Sequence, residues 1–175
     1  AFCYKKLYLL FLWLLGLSSG FAQASEFRLM TYNSLRYSPT NIDQRHPDFR
    51  LITNAIDADL ILVQELNSFG AANMFLDSVL KYVSTDYDLA NFVDGADLDI
   101  ALFYKKSEFD FYSTTSYPTA LRDIFHFKVK AKDGGDTLHL FGVHLKASSG
   151  SSNELLRKAE VSVLNTAVGT LPAGS

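Results

Sequence analysis

An α+β sandwich is the fold class the sequence predicts, and three observations lead to it. Apolar residues recur at helical spacing in two stretches of the first half and again near the end of the 175-residue chain. Short apolar runs, Leu60 to Val63 above all, stop abruptly at polar residues. From Tyr87 onward the pattern changes to five successive runs rich in Phe, Tyr, Val and Ile, which reads as strand after strand. Two helices, five antiparallel-looking strands and a last helix suit one half of a layered sandwich.

Phe27 to Asn33 is the first expected strand, ending in an amide that can both donate and accept. Ser34 to His46 is polar and irregular. Pro47-Asp48 opens a helix whose apolar positions Phe49, Ile52, Ala55 and Ile56 share one face, and Asp57 ends it. Leu60 to Val63 has no polar side, so it is expected to be a strand buried on both faces. It delivers Gln64 and Glu65 to its carboxyl end, the edge where open α/β sheets bind ligands. Asn67 to Gly70 caps a second helix with Ala72, Phe75, Leu76, Val79 and Val83 on its apolar face.

The expected strands are then 87–93, 99–105, 109–115, 123–130 and 137–144, with Lys132 to Asp136 a hairpin loop. Asp94, Asp97 and Asp99 lack the spacing of a calcium loop and read as a solvated bend. His126 and His139 alternate along their strands as sheet residues, and Tyr32 and Tyr104 read as core aromatics. The last helix starts with Ser151 and Glu154 at capping-box spacing and is expected to bury Leu156, Ala159, Val163, Leu164 and Ala167.

Hydrophobic residues make up 48% of the chain and charged residues 20%, which excludes disorder. Residues 1–24 are set apart: Lys5 and Lys6, an unbroken apolar run from Leu7 to Leu17, then Ala22-Gln23-Ala24. That order is the order of a secretory signal peptide, with cleavage expected after Ala24 and a secreted or periplasmic destination. The apolar run is too short for the ~20 residues that span a bilayer. Losing Lys5 and Lys6 takes the net charge from −3 to −5, which offers no basic stripe for a general grip on nucleic acid. Cys3 leaves with the leader, so no disulfide is expected. Residues 25–175 are expected to be the N-terminal part of one domain that continues beyond Ser175.

Four segments carry a resemblance: Met30-Thr31-Tyr32-Asn33, Val63-Gln64-Glu65-Leu66, Ile100 to Lys105, and Phe141-Gly142-Val143-His144-Leu145-Lys146. In this order the sequence resembles the endonuclease/exonuclease/phosphatase superfamily, in its pancreatic deoxyribonuclease-like and sphingomyelinase-like branches. The resemblance implies the first half of a four-layer, two-sheet domain with helices outside the sheets. It implies a divalent cation, Mg²⁺ or else Mn²⁺ or Ca²⁺, with Glu65 as ligand and Asn33 supporting metal and phosphate. It also makes His144 the histidine facing the scissile phosphate, as general acid or hydrogen-bond donor, and Arg122 a phosphate contact. Asp97 or Asp99 is the expected carboxylate partner of His144. The implied activity is that of an exported phosphodiesterase, nuclease or phosphatase, with nucleic acid the first substrate expected and a phospholipid head group the second. The family's Gly-Asp-x-Asn and Asp-His segments are not in these residues, so the 175-residue piece alone is expected to be inactive and to expose a sheet face. A secreted binding module that kept the fold without its chemistry is the alternative.

Overall fold

The computed structural model of the chain describes residues 26–40, 44–95 and 97–172. The expected leader lies outside the described residues, and no helix among them is long and apolar enough to cross a membrane. The first sheet contains β1 (Leu29–Tyr37), β2 (Leu60–Leu66), β3 (Tyr87–Leu89) and β4 (Asp99–Lys105), in the order β1-β2-β4-β3. β1 and β2 are parallel, as their connection through helix α1 (His46–Ile56) allows, whereas β4 runs antiparallel to β2 and to β3. The carboxyl ends of β1 and β2 therefore meet the start of β4 at one edge. β5 (Phe109–Tyr117), β6 (Ile124–Ala131) and β7 (Thr137–Gly142) form a second, antiparallel sheet in sequence order.

β2 is buried on both faces, as its apolar run predicts. Ile61 and Val63 turn to a core shared with the helices, while Leu60 and Leu62 turn to a core shared with the second sheet. β4 divides in the same way, with Ala101 and Phe103 on the helix side and Ile100 and Leu102 between the sheets. The helix-side core is built around Tyr37, Phe49, Phe75 and Phe103, whose neighbouring ring centroids lie 5.4 to 5.9 Å apart. Rings at that separation add edge and stacking contacts to their burial. Between the sheets, Phe125, Phe127, Val129 and Ala131 of β6 close against Leu60, Leu62, Ile100 and Leu102.

That packing corrects one expectation and bears on another. The five strands after Tyr87 are not one run: β3 and β4 join the first sheet, and only the last three make the second. The two sheets cover one another over β2, β4 and β6, but β1 keeps its share of that face open, with Leu29 beside Leu60 still 47% exposed. Alternation along a strand states which side is apolar but not which strand lies beside it, so the division could not be read from period alone.

The helices follow the sequence with local changes. α1 ends in Asp57, which takes a left-handed conformation (φ 49°) and returns its N–H to Thr53. The second helix starts on the Ser68 side chain, which accepts from Ala71 N, and runs through α2 (Phe69–Phe75), a π-helical turn (Leu76–Leu80) and α3 (Lys81–Val83). The final helix, α4 (Ser151–Val168), begins at Gly150 with no side-chain cap, so the Ser151/Glu154 box is not formed. Its burial also differs from expectation. Ala167 is buried, but Ala159 is exposed, Leu156, Val163 and Leu164 are half-buried, and the other buried residue is Glu160.

Candidate active site

β1 does not end at Asn33. It runs on to Tyr37 through two left-handed residues, Leu35 (φ 51°) and Arg36 (φ 53°), and the pairing with β2 slips between Asn33 and Tyr37. Asn33 Oδ1 accepts from Leu35 N at 2.8 Å, the local bond by which an Asn closes a turn on its own backbone. Arg45 holds the turn from outside, with Nη1 donating to Ser34 O at 2.8 Å and Leu35 O at 3.2 Å.

β2 is distorted at the same level. Glu65 itself is left-handed (φ 64°), and the register with β4 shifts between Gln64 and Leu66, so Glu65 is the extra residue of a bulge. A glutamate in this conformation stores strain of about 1 kcal/mol or more, which persists only where the surroundings fix it. Asn33 Nδ2 donates to Oε1 at 2.8 Å, Arg36 N donates to Oε2 at 3.0 Å, and the buried Ser34 hydroxyl donates to the carbonyls of Gln64 (2.8 Å) and Glu65 (3.2 Å). The Asn33-Ser34-Leu35-Arg36 turn thus wraps the Glu65 carboxylate.

The second sheet brings the remaining groups to the same edge. β6 and β7 are antiparallel, so the end of β7 lies beside the start of β6, and His144 and Arg122 fall there together. His144 Nε2 is 3.6 Å from Glu65 Oε1, beyond hydrogen-bond reach but adjacent, with side-chain exposures of 17% and 14% that leave both reachable from solvent. Burial, and secondarily the Arg122 guanidinium, hold the His144 pKa below the usual histidine value against the opposing pull of Glu65, Asp97 and Glu160. The imidazole is therefore neutral at pH 7, a form that suits a hydrogen-bond donor more than a charged acid. Arg122 donates from Nε to Asp97 Oδ2 at 3.2 Å and from Nη1 to His144 O (3.4 Å) and Leu145 O (3.5 Å).

The Asp97 or Asp99 partnership with His144 is not what the chain forms. Asp97 is taken by Arg122, and His144 Nδ1 is buried with no hydrogen-bond partner among the described residues. Asp99 is no solvated bend residue either. It is 2% exposed, accepts from Gly95 N at 2.9 Å, and burial, with Asp94 and Asp123 adding, pushes its pKa up to about 7 although the Gly95 bond opposes this. His126 and His139 are sheet residues that bond one another at 2.8 Å. Sequence reasoning passed over Ser34, Arg45, Arg157 and Glu160. Glu160 carried a readable signal, since it occupies the apolar stripe between Leu156 and Val163.

For a divalent cation the donor set is small. Among the described residues no group of three or more His, Cys, Asp and Glu side chains could hold a metal ion alone. Glu65 still fits Mg²⁺, which takes one or two carboxylates and keeps water or phosphate oxygens in its other positions. Each Glu65 oxygen receives one protein donor, which leaves lone pairs on both. Asn33 Nδ2 orients the Glu65 carboxylate, while its Oδ1 accepts from Leu35 N.

No protein-family model matches the sequence, and no curated protein is significantly similar to it. Solved structures do match. An endonuclease/exonuclease/phosphatase family protein from Bacteroides thetaiotaomicron superposes with a TM-score of 0.64 at 17% identity over 85% of this chain and 61% of its own. The chain has the endonuclease/exonuclease/phosphatase fold. D. rerio TDP2 complexed with a single-strand DNA product gives 0.63 at 17% identity over 83% of this chain and 56% of that one. ANGEL2, described as a 2',3'-cyclic phosphatase, gives 0.57 at 16% over 85% and 49%. The chain spans between about half and three fifths of the length of these structures.

Proposed function

We propose that this chain supplies the metal- and phosphate-facing edge of an exported, divalent-metal-dependent phosphodiester hydrolase. The observation that carries the reading is the strained, fully oriented carboxylate. A left-handed glutamate held by Asn33 Nδ2 and Arg36 N, with His144 3.6 Å away, is an expensive local arrangement at the edge of both sheets. Strain of this kind clusters where a group must point in one direction.

Glu65 would hold the cation, whose chemistry when bound is to neutralise phosphate charge and to lower the pKa of a coordinated water. The chain's own groups do the rest. Neutral His144 donates a hydrogen bond from Nε2 toward a phosphate oxygen beside Glu65. Arg122 has Nε and Nη1 engaged on Asp97 and the 144–145 backbone, and its planar fork presents Nη2 for an anion. Asn33 keeps the carboxylate aimed. Nucleic acid is the preferred substrate class, since one structural neighbour is described with a single-strand DNA product and another as a 2',3'-cyclic phosphatase. The mildly acidic mature charge points to short or single-stranded substrates over a long duplex.

The test is hydrolysis by the full-length mature protein of oligonucleotides, bis(p-nitrophenyl) phosphate and sphingomyelin vesicles, with Mg²⁺ and with chelator. Chelator-sensitive cleavage of the oligonucleotide is the expected result. Preferential cleavage of the vesicles would reassign the substrate, and no cleavage of any of the three would overturn the reading in favour of a binding module.

A further inference from the structure

The segment that carries His144 has lost the support of its sheet. β7 ends at Gly142, and residues 143–148 have no strand partner among the described residues, with Ser148 in a left-handed conformation (φ 77°). They are nevertheless pinned at five backbone groups. Besides the Arg122 bonds to the carbonyls of 144 and 145, Lys146 N donates to Glu160 Oε2 at 2.9 Å. Arg157 Nη1 donates to Lys146 O at 3.0 Å and to Ser148 O at 2.8 Å. Glu160 and Arg157 lie one turn apart on α4, so a single helix face grips both the donor and the acceptor side of the peptide chain just beyond His144.

Glu160 stands out energetically. It is 3% exposed, and among the described residues its Oε2 meets the Lys146 amide while its Oε1 is buried with no partner. No ion pair to it is present among the described residues. Burying a carboxylate with so few partners is costly, and an apolar residue in its place on the α4 stripe would suit the helix better. Stability alone gives no reason for it.

We propose that Glu160 and Arg157 are positioning residues for His144, fixing the 144–148 backbone so that the imidazole stands beside Glu65. The inference rests on the hydrolase reading of that edge. Arg122 cannot fill the role alone, because the same side chain is committed to Asp97 and faces the substrate. The α4 pair holds the segment through separate bonds, to the 146 and 148 backbone, that use neither Asp97 nor Glu65.

The experiment uses the full-length protein with Glu160→Gln, Glu160→Ala and Arg157→Ala. Wild-type turnover of bis(p-nitrophenyl) phosphate with Mg²⁺ judges the hydrolase reading by itself. The positioning claim is read twice: as kcat against KM, and as the His144 imidazole proton resonance, assigned by its loss in His144→Asn. Glutamine keeps an oxygen for Lys146 N, so Glu160→Gln is expected to stay within about twofold of wild type, with the His144 resonance unmoved when all variants are compared at pH 8, where the imidazole is neutral with or without the Glu160 charge. Glu160→Ala and Arg157→Ala are expected to shift or broaden that resonance and to lower kcat about 10- to 100-fold at unchanged KM, the scale of an ångström-sized misplacement. If Glu160→Ala does not fold, Arg157→Ala carries the same test. An unmoved resonance in Arg157→Ala or in folded Glu160→Ala overturns the proposal, even if turnover is absent in every variant. Loss in Glu160→Gln as deep as in Glu160→Ala overturns it too.

Discussion

Replacing Glu65 separates the strain in its backbone from the bonds on its side chain. Glu65→Ala removes the acceptors of Asn33 Nδ2 and Arg36 N. Hydrogen bonds to a charged group contribute about 1.5–3 kcal/mol each in buried settings, and for a carboxylate still 14% exposed the loss of both should cost about 3 kcal/mol. Alanine must still adopt φ 64°, at about 1–2 kcal/mol. Glu65→Gly loses the same two bonds but not the strain, and set against the extra unfolded-state freedom of glycine it should come out about 1 kcal/mol more stable than Glu65→Ala. Urea unfolding of the full-length protein and both variants measures the difference, and neither variant should hydrolyse a phosphodiester. An alanine variant as stable as the glycine variant would refute the left-handed bulge, and with it the account of how the carboxylate is aimed.

Other outcomes follow from the same structure. A methyl group at Gly142 would sit 2.9 Å from Ile100 Cγ2 in the core between the sheets, so Gly142→Ala should destabilise by about 1–3 kcal/mol, read by thermal unfolding. Phe75→Ala empties the centre of the helix-side aromatic cluster and should cost about 3–5 kcal/mol in chemical denaturation. Asp99, with a folded pKa of about 7 against an unfolded value near 3.8, keeps its proton in the folded state between those pH values, so its contribution is fully present below pH ~4 and is lost as pH rises to ~7. Asp99→Asn should remove that slope and make the protein more stable than wild type at pH 8, with little difference at pH 4.

The site was legible in the sequence to an unusual degree because it is made of strand ends. The run Leu60 to Val63, short and bounded by polar residues, reads as a buried strand, so Glu65 was expected near its carboxyl end, and Phe27 to Asn33 placed Asn33 at the same edge in the same way. His144 and Arg122 came to that edge only through the family resemblance of their segments. The conformations that aim them were not legible. Leu35, Arg36 and Glu65 are left-handed without being glycine, and nothing in their identity announces it. The carboxylate partner assigned to His144 failed because Asp97 and Asp99 are close in sequence to the edge, yet one meets Arg122 first and the other turns inward to Gly95. The division of the strands between two sheets was hidden for a different reason: apolar alternation suits either neighbour.

The most direct measurement is the initial rate of phosphodiester hydrolysis by the full-length protein and its Glu65→Gln variant, across a Mg²⁺ titration. Glutamine keeps the size of the side chain and an acceptor for Asn33 or Arg36 while removing the charge that would hold the cation. Saturable Mg²⁺ activation in the wild type and a loss of at least about a hundredfold in the variant is the predicted result. Equal rates in the two proteins would contradict the assignment of Glu65 as the centre of this edge.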